Sequence, residues 1–142
     1  MEKKGFFWDF IEGRTQQPSA HKLLGWKLIN VNTDDGTIEI EFEGTKEFLN
    51  PVGNINGGIL SAMLDLTLGP ALGARLGPDE FGPTLELKTS FMKPAKPGKL
   101  IGKGRILKMG ETICFLEAEL FDMDKNLIAK ASATACIVRN HR

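Results

Sequence analysis

The chain has 142 residues, with Lys+Arg and Asp+Glu at 18 each and a formal net charge of +0. That length predicts one compact domain, and the charge balance argues against nucleic-acid binding, which needs a positive surplus. A composition of 42% hydrophobic and 25% charged residues excludes disorder and a disulfide scaffold.

With two histidines and no tyrosine, one chain cannot build a His-rich metal site. No metal is expected, and any reaction here is expected to use a carboxylate. Cys114 and Cys136 are the only cysteines, which suits a reducing compartment. They are expected as free core thiols, although a hairpin loop at 124–126 would set them opposite each other. The amino terminus begins like a secretory signal, but Asp9 and Glu12 interrupt its apolar run. The expected location is cytoplasmic.

Residues 6 to 13 read as a short helix with Phe6, Phe7, Phe10 and Ile11 on its apolar side. Pro18 and Ser19 open a second helix, with Ser19 as its N-cap, and Gly25 closes it. Residues 1–24 are thus an expected helical segment packing on a domain of 25–142. Trp26 to Val31 and Thr37 to Glu43 form a predicted hairpin around Asp35-Gly36. In its second strand Ile38, Ile40 and Phe42 alternate with Glu39, Glu41 and Glu43, so one face is buried and the other is wet.

The loop from Asn50 to Gly58 leads into a predicted helix from Gly57 to Arg75, N-capped by Asn56. Between Asn56 and Arg75 the only ionisable side chain is Asp65. A helix so apolar is wrapped by protein or spans a membrane. The glycine pair, Gly69-Pro70 and the central Asp65 favour burial by a sheet. Thr84 to Met92, Lys99 to Met109, Thr112 to Phe121 and Leu127 to Val138 follow as four strands, read as an antiparallel meander.

A lone carboxylate on an apolar helix must be hydrogen-bonded, protonated or catalytic, because burying an unpaired charge is costly. A partnered core aspartate is the plain alternative. Asn56-Gly57-Gly58 sits at the helix start, where backbone N–H groups lack partners and the dipole is positive. Glycines there let a substrate oxygen approach the backbone, or else serve tight packing alone. Asp65 lies nine residues beyond Asn56, about 13 Å along a helix axis. One helix cannot hold both groups on one carbonyl. If they cooperate, they come from two subunits with antiparallel helices.

From Lys88 to Gly110 there are seven basic residues and no acidic one. That stretch is either a solvated face or a docking surface for an anionic ligand carrying phosphates.

Asn50-Pro51-x-Gly53-x-x-Asn56-Gly57-Gly58, followed by the helix bearing Asp65, resembles the hot-dog-fold acyl-CoA thioesterases of the PaaI-like group. Gly82 to Leu87, Phe91 to Ala95 and the segment from Asp122 to Ala129 support the resemblance, which spans about Leu23 to Arg139. It implies an α+β hot-dog fold, a long central helix wrapped by a curved antiparallel sheet, in a homodimer or tetramer. It implies hydrolysis of an acyl-CoA carrying an aryl-acetyl, medium-chain or long-chain group, with no cofactor apart from the substrate's own CoA; charge balance and the interrupted apolar helix argue against nucleic-acid and membrane partners. Asp65 would be the general base or a nucleophile, and Thr84 a water-orienting hydroxyl. Gly57 and Gly58 would supply the donor to the carbonyl oxygen, and Asn50 would fix the thioester. Lys93, Pro94, Lys108 and Gly110 would meet the CoA moiety.

The family usually has His-Gly-Gly where this chain has Asn56. An amide can orient and cap but performs no acid–base chemistry near neutral pH. A non-catalytic acyl-CoA or lipid-binding protein is therefore the alternative. A His-dependent dehydratase is disfavoured, since His21 precedes the sheet and His141 is at the tail.

Overall fold

The computed structural model describes residues 3–139, so Met1, Glu2 and His141 lie outside the described residues. Two short helices, α1 (Phe6–Ile11) and α2 (Ser19–Leu23), precede strands β1 (Lys27–Asn32) and β2 (Thr37–Gly44). A 3₁₀ turn (Lys46–Phe48) leads to the long helix α3 (Gly57–Gly73). Then come β3 (Glu80–Phe81), β4 (Thr84–Phe91), β5 (Gly98–Met109), β6 (Ile113–Asp122), β7 (Leu127–Cys136) and β8 (Val138–Arg139). Six strands form one antiparallel sheet in the order β1-β2-β5-β6-β7-β4, with α3 packed against it. This is the α+β hot-dog architecture.

Periodicity explains the layers. In β2 the alternation buries Ile38, Ile40 and Phe42, and in β6 it buries Cys114, Leu116, Ala118 and Leu120. These meet Leu60, Met63, Leu64, Leu68 and Leu72 of α3, each buried aliphatic contributing about 1.5–3 kcal/mol. The closest approach of helix and sheet depends on two glycines. Thr67 is fully buried on α3 and donates its hydroxyl to Met63 O at 2.8 Å. A Cβ on Gly102 would overlap its Oγ1, and one on Gly104 would crowd its Cγ2 at 3.1 Å.

The two helices before the sheet are tied to α3 by aromatics. Phe7 and Trp8 are buried, and the Trp8 indole donates to Ala74 O at 3.0 Å. Trp26 lies just before β1 and donates its indole N–H to Leu66 O at 2.8 Å. Arg75, beyond the end of α3, donates to Thr33 O and Asp34 O at 2.6 and 2.7 Å and pins the β1–β2 turn.

The structure corrects several expectations. Only β5, β6 and β7 form a meander; β4 pairs with β7 at the far edge, and β5 pairs with β2. The connection after β4 contains Pro94 and Pro97 and is too long and donor-poor for a tight hairpin. It is held across the sheet end by Met92 N–H to Ile128 O and Ile55 N–H to Ala95 O, both 2.8 Å. The β6–β7 register pairs Ile113 with Cys136 and Cys114 with Ala135. That one-residue slip puts the cysteines on opposite faces, and both are free thiols. Burial raises the pKa of the Cys114 thiol. Pro18, not Ser19, is the residue preceding α2, with no side-chain cap. The long helix ends at Gly73, two residues before the expected Arg75.

Candidate active site

Asp65 is not enclosed by the core. With Leu66, Gly69, Pro70 and Gly73 it forms a half-buried stripe along α3 at helical spacing. The stripe is one wall of a cleft of about 500 Å³ whose other walls come from α1, α2 and the approach to β4. Apart from Asp65, Glu80, His21 and a few hydroxyl and amide groups, the lining is apolar, with Phe6, Phe7, Phe10 and Phe81 prominent. Thr84, the first residue of β4, donates its hydroxyl to Asp65 Oδ1 at 2.8 Å. The second carboxylate oxygen has no hydrogen-bond partner among the described residues. Glu80 is already engaged, accepting from Gly77 N–H at 2.9 Å and pairing with Arg139 at 3.2 Å.

The start of α3 opens on a different cleft, of about 350 Å³, lined by Asn50, Asn54, Gly57, Phe91, Lys93 and Pro94 among others. Its order comes from side chains that close their own loop. Asn50 Oδ1 accepts from the N–H groups of Val52 and Asn54 at 3.1 and 3.0 Å, which leaves the Asn50 amide NH₂ as a donor. Asn56 is the N-cap, as its residue type predicts, and its Oδ1 accepts from Gly58 N–H at 2.8 Å. Of the two glycines expected to present a donor, Gly58 is therefore occupied. Gly57 N–H has no acceptor among the described residues. A Cβ there would press on the Phe91 ring at 3.2 Å, so glycine keeps both the N–H accessible and the ring in place.

Within one chain the site residues fall into two groups. Asp65 and Thr84 share the first cleft; Asn50, Gly57, Lys93 and Pro94 share the second. Asn56 caps the helix beside the second group. Lys108 and Gly110 sit at the β5–β6 turn, the end of the sheet where β4 begins: Cys114 pairs with Ala135, which pairs with Thr84. Two groups join the site that the sequence did not single out for it. His21 lines the Asp65 cleft although it precedes the sheet in sequence. Asn54 places a buried, unpaired Oδ1 beside Asn50. Neither carried a motif signal; both were placed by tertiary folding. Among the described residues, no cluster of three or more His, Cys, Asp or Glu could hold a metal ion.

The basic run from Lys88 to Lys108 does not form one surface. Arg105 is bound to Glu117 and Lys99 lies 3.9 Å from Glu41, while Lys103 stands between Glu39 and Glu119 in cross-strand register. Acidic and basic columns alternate across the outer sheet face, so those charges are compensated. Lys93 differs: its ammonium donates to Asn126 Oδ1 at 3.1 Å, near enough to Asp122 to help the Asn126 side chain lower that carboxyl's pKa, at the rim of the Asn50 cleft.

Residues 52–129 match the family model of the thioesterase superfamily. The chain belongs to this superfamily. A Saccharolobus solfataricus protein named as a candidate esterase is 34% identical over 83% of this chain and 82% of its own length. The crystal structure of a candidate thioesterase from Ralstonia eutropha JMP134, described as phenylacetic acid degradation-related, superposes with a TM-score of 0.90 at 34% identity. It covers 93% of this chain and 99% of that one. A Streptococcus mutans UA159 protein solved bound to acetyl-CoA shares the fold, with a TM-score of 0.71 at 20% identity over 82% of this chain and 91% of that one. Membership of the superfamily makes this protein a thioester hydrolase. No helix among the described residues is long and apolar enough to cross a membrane.

Proposed function

We propose that the protein hydrolyses an acyl-CoA thioester at two equivalent sites shared across a homodimer. The observation that carries this reading is the division of one chain's machinery between the two ends of β4. Gly57 packs on Phe91, Ser61 donates to Thr89 at 3.0 Å, and Asp65 accepts from Thr84. The helix therefore descends past the strand in the opposite sense. Eight residues separate Gly57 from Asp65, about 12 Å along the axis, too far for both to act on one carbonyl.

β4 is an edge strand, and it exposes Leu85 and Phe91. An unpaired, partly apolar edge is a template for another strand. Antiparallel pairing of β4 with its copy about a two-fold axis brings each Thr84 end to the partner's Phe91 end. Asp65 and Thr84 of one protomer then face Asn50 and Gly57 of the other. Lys108 and Gly110 come to the same end as the partner's Lys93 and Pro94, where the CoA moiety would lie. The fold relative solved with acetyl-CoA supports an acyl-CoA ligand.

In this arrangement the acyl group enters the apolar cleft beside Asp65. Thr84 and Asp65 hold a water, and the free carboxylate oxygen takes its proton as the water attacks the thioester carbonyl. Gly57 N–H, at the positive end of α3, donates to the developing oxyanion, and the Asn50 amide orients the thioester. The tetrahedral intermediate expels the CoA thiolate, which receives the proton that Asp65 collected. Gly58 acts indirectly, because its N–H fixes Asn56 and with it the first turn. The capping bond gives Asn56 an architectural role, so the hydrolytic reading asks no proton transfer of this residue. A panel of acyl-CoAs with free-thiol detection tests the proposal. Thiol release abolished in Asp65→Asn is expected; tight binding without turnover of any chain length would instead indicate a binding protein.

A further inference from the structure

A relay of side chains runs from the β6–β7 turn to the rim of the Asn50 cleft: Asp122, Asn126, Lys93. Asp122 Oδ1 accepts from the N–H groups of Asp124 and Asn126 at 3.0 and 2.9 Å, and its Oδ2 accepts from the Asn126 amide NH₂ at 2.9 Å. That last bond fixes which way the amide faces. Asn126 Oδ1 is thereby turned to Lys93, whose ammonium donates to it at 3.1 Å. The backbone there is already docked, because the N–H groups of Met92 and Lys93 both donate to Ile128 O, at 2.8 and 3.1 Å. The side-chain bond therefore serves the ammonium rather than the docking of its segment.

The chemistry of the acceptor decides what that bond does. A carboxylate at position 126 would hold the ammonium and pair with its charge, whereas an amide holds it and leaves the charge in place. Asp122, the charged member, stands one residue behind, with both of its oxygens occupied. An ammonium has three N–H donors, and the bond to Asn126 uses one. Lys93 is exposed and lines the cleft with Asn50, Gly57 and Pro94. A lysine loses much rotational freedom when it grips an anion, and holding it in advance lowers that cost. In the acyl-CoA reading, the anionic part of the substrate is the phosphate-bearing arm of CoA.

We propose that Asn126 is a positioning residue that aims the Lys93 ammonium at a phosphate of the substrate's CoA arm. This rests on the acyl-CoA reading above. The test compares one acyl group carried on CoA and on N-acetylcysteamine, a carrier without phosphate. Asn126→Ala is expected to raise KM for the CoA ester by about three- to ten-fold, with kcat unchanged and the N-acetylcysteamine ester unaffected. Lys93→Met should cost the CoA ester at least as much, and the double variant should lose no more than Lys93→Met alone. An equal rise for both esters marks a merely structural role and overturns the proposal. So does an unchanged KM for the CoA ester, or losses that add.

If no CoA ester is ever cleaved, the hydrolase reading fails by itself, and calorimetric affinities of CoA and pantetheine for the same variants still decide the role of Asn126. Should Asn126→Ala not fold, nitrogen-labelled wild-type protein gives the answer without altering the turn. The Asn126 amide and Lys93 ammonium signals should move together with CoA and not with pantetheine. The same response to both, or to neither, would contradict the assignment.

Discussion

Asp65 holds one carboxylate oxygen on Thr84, and the other has no hydrogen-bond partner among the described residues. Removing the proposed base while keeping the shape, as in Asp65→Asn, is expected to lower kcat by about 10²–10⁴. Thr84→Val removes one hydrogen bond to that base and should cost about ten-fold or less. Steady-state thiol release measures both, and a Thr84→Val loss larger than that of Asp65→Asn would reverse the assigned roles.

His21 makes a second claim at this scale. Because burial lowers its pKa from 6.5, the folded state binds fewer protons there than the unfolded state at mildly acidic pH. Stability should therefore be full above about pH 6.5 and fall as pH drops below it. Asp122 and Glu47 also have lowered values, Asp122 first through the Asn126 side chain and Glu47 first through Thr45, but their ordinary values are 3.8 and 4.5. Their losses come at lower pH. Melting temperatures between pH 7.5 and 5.5 should fall in wild type and fall less in His21→Phe; an identical slope would remove the claim. His21 also shows where residue-level reading of the sequence stopped. Asp65 was legible because it is a lone charge in an apolar helix. His21 joins the same cleft only because α2 folds back beside Trp26, and no local pattern encodes that return.

Among the elements, α3 and β2 were the most legible. Asn56 with the following apolar run marked the helix start, and strict alternation from Ile38 to Phe42 marked the strand. Pairing was less so. Alternation says which side of β2 faces inward but not which strand lies beside it, and a one-residue difference in hairpin register moved Cys136 away from Cys114. The helix–sheet contact yields a prediction that needs no assumption about function. Gly102→Ala places a methyl on Thr67 and should destabilise the fold by about 1–3 kcal/mol. Adding Thr67→Ala should recover part of that loss. Urea unfolding of the two single variants and the double variant checks this, and additive effects would contradict a direct clash.

For the whole molecule, α3 exposes its Asp65 stripe and β4 exposes its edge on one side of the sheet. Sequence spacing already implied that Asn56 and Asp65, if they cooperate, come from two subunits, because about 13 Å of helix separates them. What spacing could not supply was the position of β4 at the sheet edge, on which the proposed pairing of two copies rests. The proposed shared site is most directly tested by mixing two inactive proteins. Asp65→Asn disables the proposed base, and Gly57→Val blocks the proposed oxyanion donor. In a dimer of one copy of each, one site carries both defects and the other carries neither. Subunit exchange at equal amounts should restore about a quarter of wild-type thioesterase activity, because half of the dimers hold one intact site. If each chain held a complete site, the mixture would be as inactive as its components.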